Sequence, residues 1–498
     1  MSAHPAATLV GLLVLCLFLA PGPDVFGAGR PNVLLVTLDT TRADHIGSYG
    51  YDRDTSPAID AVAADAALFS QAYSVIPLTT PAHVSIMTGL HPLKHGIYRN
   101  SQFIPEELVT LAELLDGRGY DTGAFVSAIV LSGRSRIDDG FDVYSDVPES
   151  PRGAPGEPRS RMREADETVD SALGWLSRHH EQPFFLWVHL YEPHLPYIPP
   201  DAYGRRFDPA FDAYKMTIEE RLKSGEIPGP GPQDRELPPQ LRRRGMGFPR
   251  ALPPAEVAGM RHAYDGEIAY ADAQLSRVLD FLKREQLYEN TVVVVMGDHG
   301  EMLYEKRQYF GHHHFMYEGS LKVPLILRFP GVAARRIDQR ITIVDVLPTL
   351  LDALEIENAS PMDGTSFWPL IREGKQVDGR PYEVLVSHSR RSGPGPGPGP
   401  GPGSPDGAIF DPAAALKDRW KLVMTSPGDQ PQATFELYDL RSDPGELKNL
   451  YDAERETPIV RELRELLSSA LEATQGRIRH EPLDAATEER LRSLGYLP

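Results

Sequence analysis

The chain of 498 residues contains a single cysteine, Cys16. It lies in the apolar run Thr8–Ala20, so a chain that has shed this run has none. A disulfide framework, a cysteine nucleophile and a cysteine-ligated metal are thereby excluded. Positive charge is also scarce. The chain has 51 Lys and Arg against 70 Asp and Glu, a formal net charge of −19. Nucleic-acid binding draws on clustered Lys and Arg, so nucleic acid is not an expected partner. A comfortable bilayer span is missing as well. "TLVGLLVLCLFLA" is too short for one and fits the core of a signal peptide, with "VFGA" offering a small-residue cleavage site at Ala28. Residues 1–28 are read as that leader, although Met1 to Ala7 lacks the usual Lys or Arg. The reading implies export to the periplasm or the cell exterior, with no stable membrane span after cleavage. The same run left uncleaved is the alternative, an N-terminal anchor.

What is present is alternation. "PNVLLVTLD" reads as a buried parallel-type strand, Val33–Leu38, ending in Asp39. Apolar runs recur at Gly123–Ala128, Phe184–His189, Thr291–Met296 and Val323–Phe329. Helical patterns lie between or after them at Leu108–Asp116, Glu167–Arg178, Glu256–Glu285 and Asp345–Leu354. Strands alternating with helices predict an α/β fold, a large and mostly parallel sheet with helices on both faces. A catalytic domain is expected over residues 30–380. Within it, Pro199–Pro254 has no clear period and reads as a long surface excursion. A small C-terminal antiparallel subdomain is expected over 381–450, from the strands Arg419–Met424 and Phe435–Leu440. It carries a low-complexity Gly-Pro loop, Gly393–Gly403, too short and of the wrong period for collagen. Charged helical sequence fills 451–498.

Candidate chemistry gathers at strand ends. Asp39 closes the first strand, and Asp298-His299-Gly300-Glu301 closes "VVVVMG". In open parallel sheets, ligands bind at the carboxyl ends of strands, so both clusters reach one edge. Asp39, Asp298 and His299 offer ligands for a divalent metal, zinc or manganese first and calcium next, with one or two ions held. In "VIPLTTPAHVSIMTG", Thr80 is a good N-cap and Pro81 suits the first helical position. That leaves Thr79 and His83 unexplained by capping. A hydroxyl at a helix start, beside a metal, can become an alkoxide nucleophile, with Thr79 itself near the ion. "WVHLYEPHLPY" carries His189, Glu192 and His194 just beyond a strand, and "GHHHF" carries His312, His313 and His314. Such a concentration suits an anion or metal site.

Together these segments resemble the sulfatase family of the alkaline-phosphatase superfamily. The resemblance rests on "NVLLVTLDTTRADHIGSYGY", "TTPAHVSIMTGLHPLKHGI", "HLYEPHLPY", "GDHGE", "YEGSLKVPLI", "VDVLPTLLDAL" and "RWKL…ELYDLRSDPGELKNL", in order. It implies Asp39, Asp298 and His299 as metal ligands, Thr79 at the nucleophile position and His194 against the substrate anion. One of His312–His314 falls near a substrate-binding lysine. Sulfatases of known activity carry Cys or Ser at the Thr79 position and oxidise it to formylglycine. Threonine cannot give that aldehyde, so no formylglycine is expected. The family's arginine is His83 here, its lysine falls near Val126, and a frequent second Asp is Thr40. Thr-x-Pro-x-His instead resembles the nucleotide pyrophosphatase/phosphodiesterase branch, where threonine attacks directly between two zinc ions.

The expectation is a metal-dependent hydrolase of sulfate or phosphate esters of a small molecule, glycan or lipid, with Thr79 as nucleophile. His83, His194 and the His312–His314 run would stabilise the anion or protonate the leaving group. His189, His194, His312 and His313 are the candidate substrate contacts. The alternatives are a phosphodiesterase or phosphonate-ester hydrolase of the same superfamily, and a non-catalytic binder of sulfated or phosphorylated glycans.

Overall fold

The computed structural model describes residues 30–100, 102–147, 162–224, 252–306, 310–312, 315–358, 360–378, 383–388, 410–425 and 433–472. The leader, residues 225–251 of the excursion, the Gly-Pro loop, His313, His314 and residues 473–498 of the expected tail lie outside the described residues.

The core is an eight-stranded sheet. Its centre is β1 (Asn32–Leu38), every residue of which is buried. The other strands are β2 (Ala67–Phe69), β3 (Asp121–Val126), β4 (Val143–Ser145), β5 (Phe184–Leu190), β6 (Thr291–Gly297), β7 (Leu325–Arg328) and β8 (Arg335–Ile337), in the order β8-β2-β7-β6-β1-β5-β3-β4. β1 runs parallel to β5 and β6. β7 is antiparallel to β6 and β2. The expected mostly parallel sheet is therefore present, with β7 inserted against its direction.

Successive side chains on a strand point to opposite faces. Leu34, Val36 and Leu38 accordingly join one apolar core and Val33 and Leu35 the other. The first core is closed by α4 (Ala165–His179) and α7 (Pro254–Arg284); the second by α2 (Thr79–Thr88) and α8 (Val346–Ala353). Helices thus cover both faces, as βαβ connections require. Between α2 and α4 lies α3 (Leu111–Asp116), which starts on a capping box between Thr110 and Glu113.

Four local readings need correction. The α2 helix begins at Thr79, not after Thr80. Its N-cap is Leu78, and Thr80 caps nothing. The Thr80 hydroxyl donates to the Val130 carbonyl at 2.7 Å, while its N–H is met from outside by Asn100 Oδ1 at 3.0 Å. A side chain from another loop does the capping. Second, His189 lies within β5, opposite Thr37 of β1 and Val126 of β3, because the ladder runs on to Leu190. Third, Pro324 splits the Val323–Phe329 run into Lys322–Val323 and β7. Fourth, the excursion after Pro199 holds α5 (Asp201–Phe207) and α6 (Phe211–Ser224), with Phe207, Phe211, Tyr214 and Ile218 buried.

A second sheet of four antiparallel strands, β9 (Glu383–His388), β10 (Phe410–Lys417), β11 (Trp420–Thr425) and β12 (Thr434–Asp439), forms the C-terminal layer. The amphipathic α9 (Pro458–Glu472) buries Val460, Leu463 and Leu467 against it. A fully buried Lys421 ties this sheet to the main body, 3.0 Å from both Glu318 and Glu446.

Candidate active site

Strand register builds the site. Leu38 pairs with Gly297, so the next residue of each strand, Asp39 and Asp298, emerges at the same height on the carboxyl edge. Both are fully buried. Thr40 then turns with φ +51°, a left-handed conformation that a β-branched residue resists. The turn is held from two sides. The Thr40 N–H donates to Asp298 Oδ1 at 3.1 Å, as the His299 N–H does at 2.7 Å. Tyr264 of α7 donates its hydroxyl to the Thr40 carbonyl at 2.8 Å and accepts from the Arg42 N–H at 3.0 Å. On the other strand, Gly300 passes so close to residue 319 that a Cβ would lie 2.1 Å from the Gly319 carbonyl oxygen, which requires glycine.

Among the described residues, Asp298 Oδ2 and both Asp39 oxygens have no hydrogen bond, although buried. Both His189 ring nitrogens are in the same state. Buried polar atoms are normally paired, so five orphans in one place call for a ligand. His299 Nε2 lies 3.4 Å from Asp298 Oδ2 and 3.7 Å from Asp39 Oδ1; His189 Nε2 lies 3.7 Å from Asp39 Oδ2. Among the described residues, Asp39-Asp298-His299 could hold a metal ion, with donor atoms within 4.8 Å of one another; His83, His189 and Asp298 lie equally close, but His83 spends both ring nitrogens on hydrogen bonds. Burial, with the charges of Asp298 and Glu301, pushes the Asp39 carboxyl well up, and burial raises Asp298 to about 6. Burial likewise lowers His299 to about 4, keeping its imidazole neutral, the form that binds a metal. Crowded carboxylates beside neutral imidazoles are what a divalent cation neutralises. The residues fit one.

Thr79 opens α2 with its hydroxyl 3.5 Å from His299 Nε2 and is itself buried. His83, one turn on, faces the same place but is fully engaged. Its Nδ1 lies 2.8 Å from the Thr79 carbonyl and its Nε2 3.0 Å from Thr37 Oγ1. Trp187 Nε1–H donates to that same Thr37 oxygen at 3.0 Å. The Thr79 carbonyl can only accept, so Nδ1–H donates to it, and in the neutral ring Nε2 accepts from the Thr37 hydroxyl. His83 is fixed as a neutral ring with no proton to spare, because burial also depresses its basicity. This geometry orients the first turn of α2 and commits both His83 nitrogens to hydrogen bonds.

The remaining histidines form a chain of rings. His194 and His312 centroids are 5.0 Å apart, and His312 and His299 4.5 Å. His312 Nδ1 lies 2.9 Å from Glu301 Oε1, and Tyr197 donates to Glu301 Oε2 at 2.6 Å. Burial pushes the Glu301 carboxyl up to about 8. His194 turns Nδ1 toward Tyr191 and the Leu195 carbonyl, at 2.8 and 2.6 Å. The structure thus brings Asp39, Thr79, His83, His189, His194, Asp298, His299 and His312 into one buried cluster. Thr37, Trp187 and Tyr264 had no signal in the sequence. Thr37 reads as an ordinary strand residue, and Tyr264 lies more than 200 positions from the turn it holds.

A mostly parallel α/β sheet with acids and histidines on its carboxyl edge defines an ester hydrolase of the alkaline-phosphatase superfamily. Within it, the profile of the sulfatase family matches residues 31–356, and the chain belongs to that family. It is 27% identical to arylsulfatase K of Gallus gallus over 468 residues, covering 90% of this chain and 84% of that one. It is also 27% identical to a delta 4,5-hexuronate-2-O-sulfatase of Bacteroides thetaiotaomicron over 489 residues, 94% of each chain. Among solved structures, the phosphonate monoester hydrolase of Agrobacterium radiobacter superimposes with a TM-score of 0.68 at 22% identity, over 89% of this chain and 96% of that one, which shows a shared fold.

Proposed function

We propose that the chain hydrolyses oxyanion monoesters with Thr79 Oγ1 as direct nucleophile, beside a divalent cation held by Asp39, Asp298 and His299. The supporting observation is the convergence of unpaired buried oxygens and imidazoles next to the Thr79 hydroxyl. A cation there would supply the charge that draws in the ester's oxyanion and favours ionisation of the hydroxyl. The chain's own groups account for the rest. The helix start and the His83 bond to its carbonyl hold Thr79 in place. Thr79 Oγ1 bonds to the phosphorus or sulfur as the bond from that atom to the ester oxygen breaks. His312, oriented by Glu301, gives the departing oxygen its proton. Water then attacks the same phosphorus or sulfur, and the Thr79 oxygen leaves and regains a proton.

Threonine has no route to an aldehyde hydrate, so release depends on attack at the central atom. That favours phosphate or phosphonate esters, since phosphorus accepts a second in-line displacement. A sulfate ester is the second reading, supported by the named sulfatases among the relatives. The test is turnover of 4-nitrophenyl sulfate, phosphate and phenylphosphonate by metal-loaded protein. We expect the phosphorus esters to be cleaved faster, and Thr79→Ala to lose about 10³-fold or more. A Thr79→Ala protein that keeps wild-type rates would end the nucleophile assignment. No turnover of any ester would leave a binding protein.

A further inference from the structure

A cavity of about 740 Å³, apart from the catalytic cluster, opens on the seam between the main body and the C-terminal sheet. Its lining includes none of Asp39, Thr79, Asp298, His299 or His312. Charge is distributed unevenly there. The acids on its walls are largely spent: Asp44 and Glu305 pair with Arg42, and Glu318 and Glu446 pair with Lys421. Several of the cations are not, although Arg42, Arg336 and Arg419 have carboxylate partners. Among the described residues, the Lys322 ammonium and the Arg441 guanidinium have no partner. The Arg340 guanidinium reaches only the Asp418 carbonyl and the Tyr73 ring, and its Nε is buried without a hydrogen bond. Lys306 is held over the rings of Tyr317 and Tyr438, 4.0 Å from each centroid, with no carboxylate in contact.

We propose that this seam groove binds a small, multiply charged oxyanion, a compound bearing two or more sulfate, phosphate or carboxylate groups, separately from the hydrolytic centre. Lys322 and Arg340 come from the main body and Arg441 from the turn after β12, so the ligand would bridge the two layers. The cavity has the size of a small-molecule site. Guanidinium groups present paired donors to such anions. The ligand is small because the chain as a whole carries −19, and a long polyanion would be repelled beyond the groove. The inference does not depend on the hydrolytic reading.

The test is titration calorimetry with pyrophosphate and with benzene-1,3-disulfonate, which carries no ester to cleave. Saturable binding is expected in wild type and in Asp298→Asn, weakened by added salt. Lys322→Ala and Arg441→Ala should each weaken it at least about tenfold. Neither side chain has a hydrogen bond or ion pair to lose among the described residues, so both variants should melt close to wild type without ligand. Absence of saturable binding by both probes would overturn the proposal. So would binding that vanishes in Asp298→Asn and is indifferent to Lys322→Ala and Arg441→Ala, which would place the anion in the hydrolytic centre. Loss of ester turnover alone leaves the groove untouched.

Discussion

The Thr37 hydroxyl ties His83, and through it Thr79, to the central strand. The Thr79 carbonyl can only accept, so the His83 proton sits on Nδ1; in the neutral ring Nε2 then accepts from Thr37, whose oxygen accepts from Trp187. Thr37→Val would leave two buried polar atoms unpaired, at about 1–3 kcal/mol each. We expect a lower melting temperature and a 10–100-fold lower kcat, on the order of what outer-layer substitutions cost at metal sites. His312 makes a different prediction. If it protonates the leaving group, His312→Ala should slow alkyl esters by about 10²–10⁴-fold and nitrophenyl esters far less, since nitrophenolate leaves without help. Equal losses on both substrates would instead give His312 a role in binding the anion. Tyr264 acts on backbone alone. Tyr264→Phe removes both bonds that restrain the left-handed Thr40 and should lower stability, read by thermal melting, while leaving every proposed ligand in place.

Elements set what single residues can do. The site exists because β1 and β6 end level, placing Asp39 beside Asp298. That much was legible in the sequence, as were the long helices, because buried strands and amphipathic helices write their periods plainly. The start of α2 was not. Thr80-Pro81 looks like a cap, but Asn100 supplies the cap from another loop. The short strands β2 and β8 were also silent, since three residues carry no period. Nor could the sequence show that His83 is committed on both nitrogens, which takes the register of β5 against β1. One element-scale prediction concerns the start of α4, where Glu192 Oε1 accepts from the Ala165 N–H at 3.0 Å. Burial, reinforced by Glu164 and Asp166, raises the Glu192 carboxyl from its ordinary 4.5 to about 8, and the neighbouring buried Glu267 is raised with it. A raised folded-state value means the neutral acid stabilises the fold. That contribution is complete below about 4.5 and is lost as pH climbs through about 8. Glu192→Gln keeps the acceptor and removes the titration, so its melting temperature should fall less than that of wild type between pH 5 and pH 8.

Over the whole molecule, two layers are joined by a buried ion triad. Lys421 has no exposed surface and neutralises Glu318 and Glu446. Lys421→Met would leave the buried Glu446 and the partly buried Glu318 without their cation, a defect of about 3–5 kcal/mol, and should loosen the C-terminal sheet. Limited proteolysis should cut near β11 sooner than in wild type. A cation held by Asp39, Asp298 and His299 would act at the same scale, because a ligand bound only by the folded chain stabilises all of it. The central claim remains that Thr79 is covalently engaged during turnover. Its most direct test is acid quenching of metal-loaded protein during hydrolysis of a phosphonate ester, followed by mass measurement of the peptide containing Thr79. The account predicts a phosphonyl adduct on Thr79 that disappears when substrate is exhausted. Steady turnover with that peptide never modified, together with an active Thr79→Ala protein, would contradict it.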